Sequence, residues 1–136
     1  MNFVMVKENL IYPELSYQIM GAIFKVFNKL GYGYQEKYYQ RGIALEFGEQ
    51  AISHEREKEI NLQYLNKSIG KYRLDFIIDN KIILEIKVMP YFNSLNSTQL
   101  RQVLGYLTAT ECKLAILIFI TQKGVIYRRI INPNLK

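Results

Sequence analysis

The sequence is poor in the residues that mark secreted, fibrous and membrane proteins. Its 136 residues contain one cysteine, one histidine, three prolines and no tryptophan. One cysteine cannot form an internal disulfide, which excludes the disulfide framework of small secreted domains. The longest apolar run, Leu114 to Ile120, is too short to cross a bilayer, and the N-terminal MNFVMVKENL lacks the basic start and long apolar stretch of a signal peptide. We therefore expect a cytoplasmic protein that inserts into no membrane.

Aspartate is also scarce, because it occurs only at positions 75 and 79 and every other acid is a glutamate. The 18 lysines and arginines outnumber the 12 acids and give a net charge of +6. This charge suits a polyanionic partner such as nucleic acid, although charge alone reports on solubility and association rather than on fold. Asp75 lies inside an apolar segment and is the acid that most needs an explanation.

The composition is that of a globular protein and shows no break along the chain. Apolar residues make up 49% and charged residues 22%, and glycine and proline are too sparse for a disordered or fibrous chain. The length is sufficient for one buried core, and there are no repeats or low-complexity tracts. We expect a single domain that spans residues 1–136.

Three helices are predicted. Apolar residues recur at helical intervals from Glu14 to Leu30, and Gly31 follows where a C-cap glycine belongs. After a short break, YQEKYYQRGIALEF predicts a second helix that ends near Phe47. The third helix is predicted in TQLRQVLGYLTAT, with Ser97 as its N-cap.

Strands account for most of the remaining chain. From residue 51 the apolar period changes toward two, and NKSIGK is expected to form a turn before Tyr72. A central hairpin and two closing strands are predicted at residues 74–78, 81–88, 115–120 and 125–131. The order helix, helix, strands, helix, strands predicts an α/β fold in which helices flank a mixed β-sheet.

Three charged residues interrupt the apolar central hairpin, YRLDFIIDNKIILEIKV. Because side chains in a strand alternate between faces, Glu85 and Lys87 share one face of the predicted sheet. On the preceding strand the same alternation places Asp75 on one face and Leu74, with Phe76, on the other. The strands are apolar on both faces, which is typical of a hairpin that other elements cover.

The register of this hairpin decides whether the three charges meet. If like faces match, Asp75 pairs with Glu85 and Ile77 pairs with Ile83, so that the charges converge. This register needs an odd loop, nominally residues 79–81, or a bulge, since a two-residue loop would send Asp75 to the face opposite Glu85. We therefore predict that the turn of this hairpin is either an odd loop or contains a bulge.

The converging charges predict a metal site. Two carboxylates and an ammonium group are costly to desolvate together, and two neighbouring acids push one pKa upward. A divalent cation removes this conflict, since carboxylate oxygens and water are the ligands that Mg²⁺ prefers. Such a site keeps positions for a phosphate oxygen and an attacking water, and a nearby lysine can activate that water or offset the charge of the phosphorane. The pattern predicts phosphodiester hydrolysis with Mg²⁺, for which Mn²⁺ can substitute.

At these residues the sequence resembles the PD-(D/E)XK nuclease superfamily. Asp75 followed after nine residues by Glu85-Ile86-Lys87 is similar to its catalytic signature. Residues 33–39, GYQEKYY, fit the GxxExxY pattern that names one family of this superfamily. Residues 102–106, QVLGY, resemble the QxxxY motif found on the helix that follows the catalytic signature. The resemblance extends from about residue 10 to residue 131 and implies a restriction-endonuclease-like fold.

The resemblance implies a role for each motif residue. In chain order the implied catalytic residues are Glu36, Asp75, Glu85, Lys87, Gln102 and Tyr106. The three acids would hold the metal, Lys87 would be the catalytic lysine, and the last two would assist at the site or at the nucleic-acid backbone. Two positions depart from the pattern, since Leu74 replaces the signature proline and Gln99 replaces a histidine that relatives often carry.

Each motif residue also has a structural alternative. Asp75 and Lys87 would form a cross-strand ion pair with Glu85 on a solvated sheet face. Glu36 would complement the dipole of a helix N-terminus, and the glutamine and tyrosine of QVLGY would share a helix face without a role at a site. The apolar residues beside the charges favour the metal site over the ion pair.

The single histidine and most of the tyrosines are expected to have structural roles. We interpret His54 as an ordinary strand residue. Most of the 11 tyrosines are expected to pack in the core rather than to stack on bases, including Tyr32, Tyr34, Tyr38 and Tyr91.

The sequence therefore predicts a Mg²⁺-dependent nuclease that acts on DNA. Contacts with the phosphate backbone are expected from five basic residues near the motifs: Lys37, Arg41, Lys71, Arg73 and Arg101. A homodimer is expected for a nuclease of this size that must cut both strands. The alternative is a catalytically silent fold retained as a nucleic-acid-binding or protein-interaction module.

Overall fold

The helices and strands follow one another in the predicted order. The computed structural model describes residues 11–134, and within this range the helices are α1 (Pro13–Leu30), α2 (Glu36–Glu49) and α3 (Ser97–Thr110). The strands are β1 (His54–Tyr64), β2 (Lys67–Ile78), β3 (Ile82–Val88), β4 (Leu114–Thr121) and β5 (Gly124–Ile131). The three predicted helices are confirmed, each to within two residues of its predicted ends.

The strands form one mixed sheet. Its order is β1-β2-β3-β4-β5, and neighbouring strands are antiparallel except for the parallel pair β3 and β4. A parallel pair cannot be joined by a tight turn, and α3 provides the crossover between its two strands. The site described below lies where β2 separates from β3.

Helices cover both faces of the sheet. Ile23 of α1 and Ile43 of α2 pack with Leu84 of β3 in a first core, whereas Leu107 of α3 packs with Ile83 of β3 in a second core. All five side chains are buried, and burial of each contributes about 1.5–3 kcal/mol. Successive residues of β3 thus enter opposite cores, which confirms the prediction that the central hairpin is covered.

The predicted register of the central hairpin is confirmed. Ile77 lies opposite Ile83, and the connecting loop has three residues, Asp79, Asn80 and Lys81. The first two have positive φ angles of 52° and 54°, which aspartate and asparagine tolerate better than most residues. The odd loop keeps Phe76 and Ile78 of β2 on the same face as Ile82 and Leu84 of β3.

The turn predicted at NKSIGK is wrong. Tyr64 pairs with Lys67, so that the turn consists only of Leu65 and Asn66, and β2 has already begun well before Tyr72. Both turn residues have positive φ angles, 51° and 62°, which match the twist of a two-residue hairpin. Leucine is disfavoured in this conformation, and the local turn signals therefore pointed to the more polar residues that follow.

The N-cap predicted for the third helix is also wrong, because the cap is Asn96 and not Ser97. The side chain of Asn96 accepts a hydrogen bond of 2.8 Å from the backbone N–H of Gln99. The side chain of Gln99 in turn accepts one of 3.3 Å from the backbone N–H of Asn96. This reciprocal capping box satisfies two amides at the start of α3, which Ser97 already enters as a helical residue.

Candidate active site at the opening between two strands

Asp75 and Glu85 lie side by side where β2 and β3 separate. The ladder between the two strands ends at Phe76 and Leu84. Just beyond the end of the ladder, the backbone N–H of Asp75 donates to Glu85 Oε2 over 2.7 Å. The backbone N–H of Ile86 donates to Asp75 Oδ2 over 2.8 Å. Each carboxylate thus binds an amide of the opposite strand, and side chains replace the backbone pairing at the opening.

The opening coincides with a distortion of β1. Glu57 of β1 has a positive φ angle of 51°. The pairing of β1 with β2 skips Glu57 and Asp75, which lie between the paired residues on either side. On the far side of this point Leu74 packs in the second core with Ile77, whereas Phe76 belongs to the first core. The prediction that Leu74 shares a face with Phe76 is therefore wrong, because the regular alternation of β2 is broken at Asp75.

The carboxyl group of Glu85 is buried and that of Asp75 is partly buried, and both have a raised pKa. Burial raises the pKa of Glu85 to about 8, with Asp75 as the next cause in the same direction. Burial also raises the pKa of Asp75, against the hydrogen bond from Ile86 and the charge of Lys87. Only 4% of Glu85 is exposed. Without a cation the pair therefore retains a proton near neutral pH.

Lys87 faces this pair without joining it in an ion pair. Its positive charge lowers the pKa of Asp75, Glu85 and Glu36. Among the described residues no ion pair within 4.0 Å links it to any of these acids. The structural alternative, a cross-strand ion pair on a solvated face, is absent from this part of the chain.

Glu36 reaches the same region from the first residue of α2. Burial raises its pKa, Lys87 lowers it and Asp75 raises it further. Its Oε1 atom is buried and has no hydrogen-bond partner among the described residues. A buried carboxylate oxygen without a partner is unfavourable, and a cation or a cation-bound water would satisfy it. The role of a dipole-complementing acid does not explain this burial.

The loop that precedes α2 explains the spacing of the GYQEKYY segment. Gly33 has a φ angle of 127°, which favours glycine. The buried hydroxyl of Tyr39 donates to the carbonyl of Gly31 over 2.5 Å and accepts from the backbone N–H of Tyr34 over 3.3 Å. The tyrosine of this pattern therefore fixes the loop, and the loop fixes the helix start that carries Glu36.

The acids fit a cation held by two carboxylates better than a complete three-residue centre. Within residues 11–134 no group of three or more histidine, cysteine, aspartate or glutamate side chains is arranged to hold a metal ion. Mg²⁺, however, is commonly held by one or two carboxylates, with waters and substrate oxygens as its other ligands. Asp75 and Glu85 fit this pattern, and the unpartnered oxygen of Glu36 suits a metal-bound water.

Helix α3 brings Gln102 and Tyr106 to the opposite side of the opening. A shallow pocket there is lined by Glu85, Lys87, Gln99 and Gln102. Burial and the charges of Glu85 and Asp75 raise the pKa of Tyr106 to about 12, and the side chain of Gln102 acts in the opposite direction. Tyr106 therefore stays neutral and can donate a hydrogen bond at the site.

The five predicted backbone-binding residues lie in three places. Lys37 and Arg41 flank Tyr38 on α2, with their cationic groups 5.2 and 5.7 Å from the centre of its ring. Lys71 and Arg73 both face Glu59 across the β1–β2 hairpin, at 3.8 and 3.5 Å. Arg101 is exposed on α3. The five residues therefore lie on three elements, α2, β2 and α3, and two of them already face an acid.

The structural interpretation of His54 is confirmed, and that of the tyrosines is partly wrong. His54 begins β1 and contacts the backbone carbonyl of Ile52 over 2.9 Å. Tyr34, Tyr38 and Tyr91 are exposed by 49%, 44% and 65%, so they do not pack in the core as expected.

Residues that sequence reasoning did not single out also contribute to the site. Glu57 raises and Arg56 lowers the pKa of Asp75, because the distorted part of β1 lies beside it. The ring of Tyr72 contacts that of Tyr106 at a centroid distance of 4.9 Å. No sequence signal marks the distortion at Glu57. Tyr72 precedes the motif aspartate by three residues and is the one residue of this group that lay close to a motif in sequence.

Comparisons with known proteins identify the superfamily and a solved structure of similar fold. The profile of the PD-(D/E)XK nuclease superfamily matches residues 13–130. The solved structure titled "Crystal structure of SSO0001" is similar in fold, with a TM-score of 0.52 and 19% sequence identity, over 90% of this chain and 79% of that chain. A search of curated proteins finds no significant match. Among the described residues, no helix is long and apolar enough to span a membrane.

Proposed function

Because the chain belongs to the PD-(D/E)XK nuclease superfamily and has its restriction-endonuclease-like fold, we propose that it is a metal-dependent nuclease that hydrolyses phosphodiester bonds in DNA. The observation that carries this proposal is the pair Asp75 and Glu85, which lie side by side at the strand opening with Glu85 buried, Asp75 partly buried and Lys87 beside them. A solvated sheet face would not hold two acids in this way, whereas a cation site needs them there. The GYQEKYY segment supports membership of the GxxExxY family as part of the same proposal.

Asp75 and Glu85 would hold the metal, and Mg²⁺ fits their oxygen ligands, with Mn²⁺ as a substitute. When bound, the cation would supply Lewis-acid polarisation of the phosphate and a water of lowered pKa. The two backbone hydrogen bonds described above would keep the carboxylates oriented in the absence of the ion. Glu36 would accept a hydrogen bond from a water at the site through its unpartnered oxygen.

Lys87, Gln102 and Tyr106 would act on the substrate. The ammonium of Lys87 lies close enough to influence all three acids and would orient the attacking water and offset the negative charge that develops on the phosphate. Gln102 is exposed at the pocket and would contact the nucleic-acid backbone. The neutral phenol of Tyr106 would donate a hydrogen bond toward a phosphate oxygen or a carboxylate.

The same proposal extends to partners and location. Lys37, Arg41, Lys71, Arg73 and Arg101 would bind phosphates, a homodimer would present two sites to a duplex, and the protein would act in the cytoplasm.

The test is cleavage of a panel of plasmid, linear, branched and single-stranded DNA, with RNA as a further substrate, in Mn²⁺ or Mg²⁺. We expect wild type to cut at least one DNA substrate, and EDTA and Glu85→Gln to abolish cutting, since the amide keeps the shape of the side chain but is a poorer ligand. Glu55→Gln, on an exposed part of β1, is the matched control and should cut normally.

Binding of DNA without cutting across the whole panel would overturn the proposal and favour the catalytically silent module. Cutting that survives in Glu85→Gln would show that another group of residues carries the activity. Exclusive cutting of RNA would refute the assignment to DNA.

A further inference from the structure

The outer surface of the α2 start exposes two tyrosines beside the candidate site. Tyr34 and Tyr38 are 49% and 44% exposed, whereas the neighbouring Tyr39 is fully buried. The rings of Tyr34 and Tyr38 meet edge to face at a centroid distance of 6.5 Å, and Tyr34 makes a second such contact with Tyr39 at 6.2 Å. The buried Tyr39 therefore orders the exposed pair. We name Tyr34, Tyr38, Lys37 and Arg41 the α2 platform.

Two cations complete the α2 platform. The ammonium of Lys37 and the guanidinium of Arg41 lie 5.2 and 5.7 Å from the centre of the Tyr38 ring. Both residues are exposed, and neither takes part in an ion pair among the described residues. Exposed aromatic rings with unpaired cations beside them are the combination that binds single-stranded nucleic acid, since bases stack on the rings and cations contact the phosphates.

We infer that the α2 platform binds an unpaired strand of DNA next to the scissile phosphate, an inference that rests on the proposed function and narrows its substrate to DNA with a single-stranded segment. In a duplex the base faces are already stacked on one another and only their edges are accessible. The faces of Tyr34 and Tyr38 can therefore stack only on bases that are unpaired.

The contacts within the α2 platform are weak enough to be exchanged for a base. A cation over an exposed aromatic ring contributes about 0.5–1 kcal/mol, and stacking of a base on such a ring contributes about 1–3 kcal/mol. A base that replaces Lys37 or Arg41 over Tyr38 releases that cation, which can then contact a phosphate of the same strand. The same four residues would thus provide both kinds of contact.

The position of the α2 platform relative to the acids suits this role. Tyr38 follows Glu36 by two residues on the same helix, which is about 3 Å along the helix axis but about 200° around it, so the two side chains lie on opposite sides of α2. Glu36 in turn lies close enough to Asp75 and Lys87 for their charges to shift its pKa. Because a helix with its side chains is only about 10–12 Å wide, a strand that stacks on Tyr38 and crosses α2 would still pass within a few nucleotides of the strand opening. A protein partner has less support, since the α2 platform offers cations rather than a continuous apolar surface.

The experiment is a binding titration by fluorescence anisotropy in EDTA, which prevents cleavage. The probes are a labelled single-stranded oligonucleotide, the duplex of the same sequence and the RNA of the same sequence. We expect Tyr38→Leu to weaken single-strand binding by about 5- to 150-fold, the loss that corresponds to one stacked base, and to change duplex binding by less than about twofold. Tyr38→Phe keeps the ring and should bind as wild type does.

The matched control is Tyr17→Leu, which removes an 81% exposed tyrosine from α1. Equal single-strand binding by Tyr38→Leu and Tyr17→Leu would overturn the inference, as would an equal loss of single-strand and duplex binding or tighter binding of RNA than of DNA. Tyr34→Leu provides a second variant, and urea unfolding verifies that both variants remain folded.

The outcomes also separate this inference from the proposed function. Tyrosine-dependent binding of a single strand by a protein that cuts no substrate would support the α2 platform and refute the nuclease. Metal-dependent cutting of DNA that is indifferent to Tyr34 and Tyr38, with unchanged single-strand binding, would support the nuclease and refute the α2 platform.

Discussion

Glu85 combines two demands that conflict in the absence of a cation. It is nearly fully buried, and its carboxylate accepts a hydrogen bond from the amide of Asp75. The amide favours the ionised form, but burial and the nearby Asp75 carboxylate together outweigh it and raise the pKa of Glu85 to about 8. The folded protein therefore has to release a proton from this pair before both carboxylates can ligate a metal.

The raised pKa predicts the direction in which pH changes stability. The folded state keeps a proton on Glu85 that the unfolded state loses near pH 4.5, so the stability that this proton provides is fully present below that pH and is lost as pH rises through about 8. In EDTA we expect the free energy of unfolding to fall between these values, by at most about 1.4 kcal/mol per pH unit for this group. Urea unfolding at several pH values measures it.

Glu85→Gln removes the titrating group and should flatten this dependence, whereas the exposed control Glu55→Gln should retain it. Added Mg²⁺ should oppose the loss at high pH, because the cation stabilises the ionised pair. A wild-type profile as flat as that of Glu85→Gln would mean that the carboxylate is ionised throughout.

At the scale of elements, the start of α2 depends on the hydroxyl of Tyr39. This group joins the carbonyl of Gly31 to the amide of Tyr34 across the loop that carries Gly33. Helix α2 then presents Glu36 to the strand opening with its first residue. Tyr39, which fixes the loop, and Glu36, the proposed site acid, therefore lie on the same turn of helix.

Tyr39→Phe should lower the free energy of unfolding by about 1–2 kcal/mol, because it leaves a carbonyl and an amide without their partner. Tyr38→Phe, which removes an exposed hydroxyl from the next position of the same helix, is the matched control and should change stability little. Urea unfolding of the two variants measures the difference. Equal stability of both variants would refute the role of the Tyr39 hydroxyl in the loop.

At the start of α3, side-chain hydrogen bonds decide which residue caps the helix. The sequence NSTQ offers two adjacent N-cap residues, and the reciprocal bonds between Asn96 and Gln99 select the first. Gln99 both closes this cap and lines the pocket with Glu85 and Lys87. Its capping role accounts for a glutamine at this position.

At the scale of the whole molecule, the basic residues behind the net charge of +6 differ in whether an acid already faces them. Lys71 and Arg73 already face Glu59 across the β1–β2 hairpin, whereas Lys37 and Arg41 contact an aromatic ring. Exposed ion pairs contribute little to stability, yet the carboxylate of Glu59 opposes an approaching phosphate. We therefore expect the two cations of α2 to dominate the salt dependence of single-strand binding.

The double variant Lys37→Gln/Arg41→Gln should reduce the slope of log affinity against log salt by about 1.4, since each phosphate contact on a single strand contributes about 0.7. Lys71→Gln/Arg73→Gln removes the same charge from the β1–β2 hairpin and should reduce the slope less. Anisotropy titrations between about 50 and 200 mM salt measure both slopes. Equal reductions of the slope by the two double variants would mean that the total positive charge, and not the two cations of α2, sets the salt dependence.

The sequence by itself determined the helices, the central hairpin and its odd loop. Apolar periodicity is a local property, and it located all three helices. The register of β2 and β3 followed from matching like faces, because a slip by one residue would send Asp75 to the face opposite Glu85. The motif spacing also indicated the superfamily, to which the chain belongs.

Only the tertiary structure decided how the site is built. The break in alternation at Asp75 lies opposite Glu57, a residue on another strand whose positive φ has no sequence signal. The exposure of Tyr34 and Tyr38 depends on which face of α2 meets the sheet, and tyrosine itself suits both environments. Periodicity reports which residues one element buries, whereas contacts between elements decide which charges meet and which rings stay free.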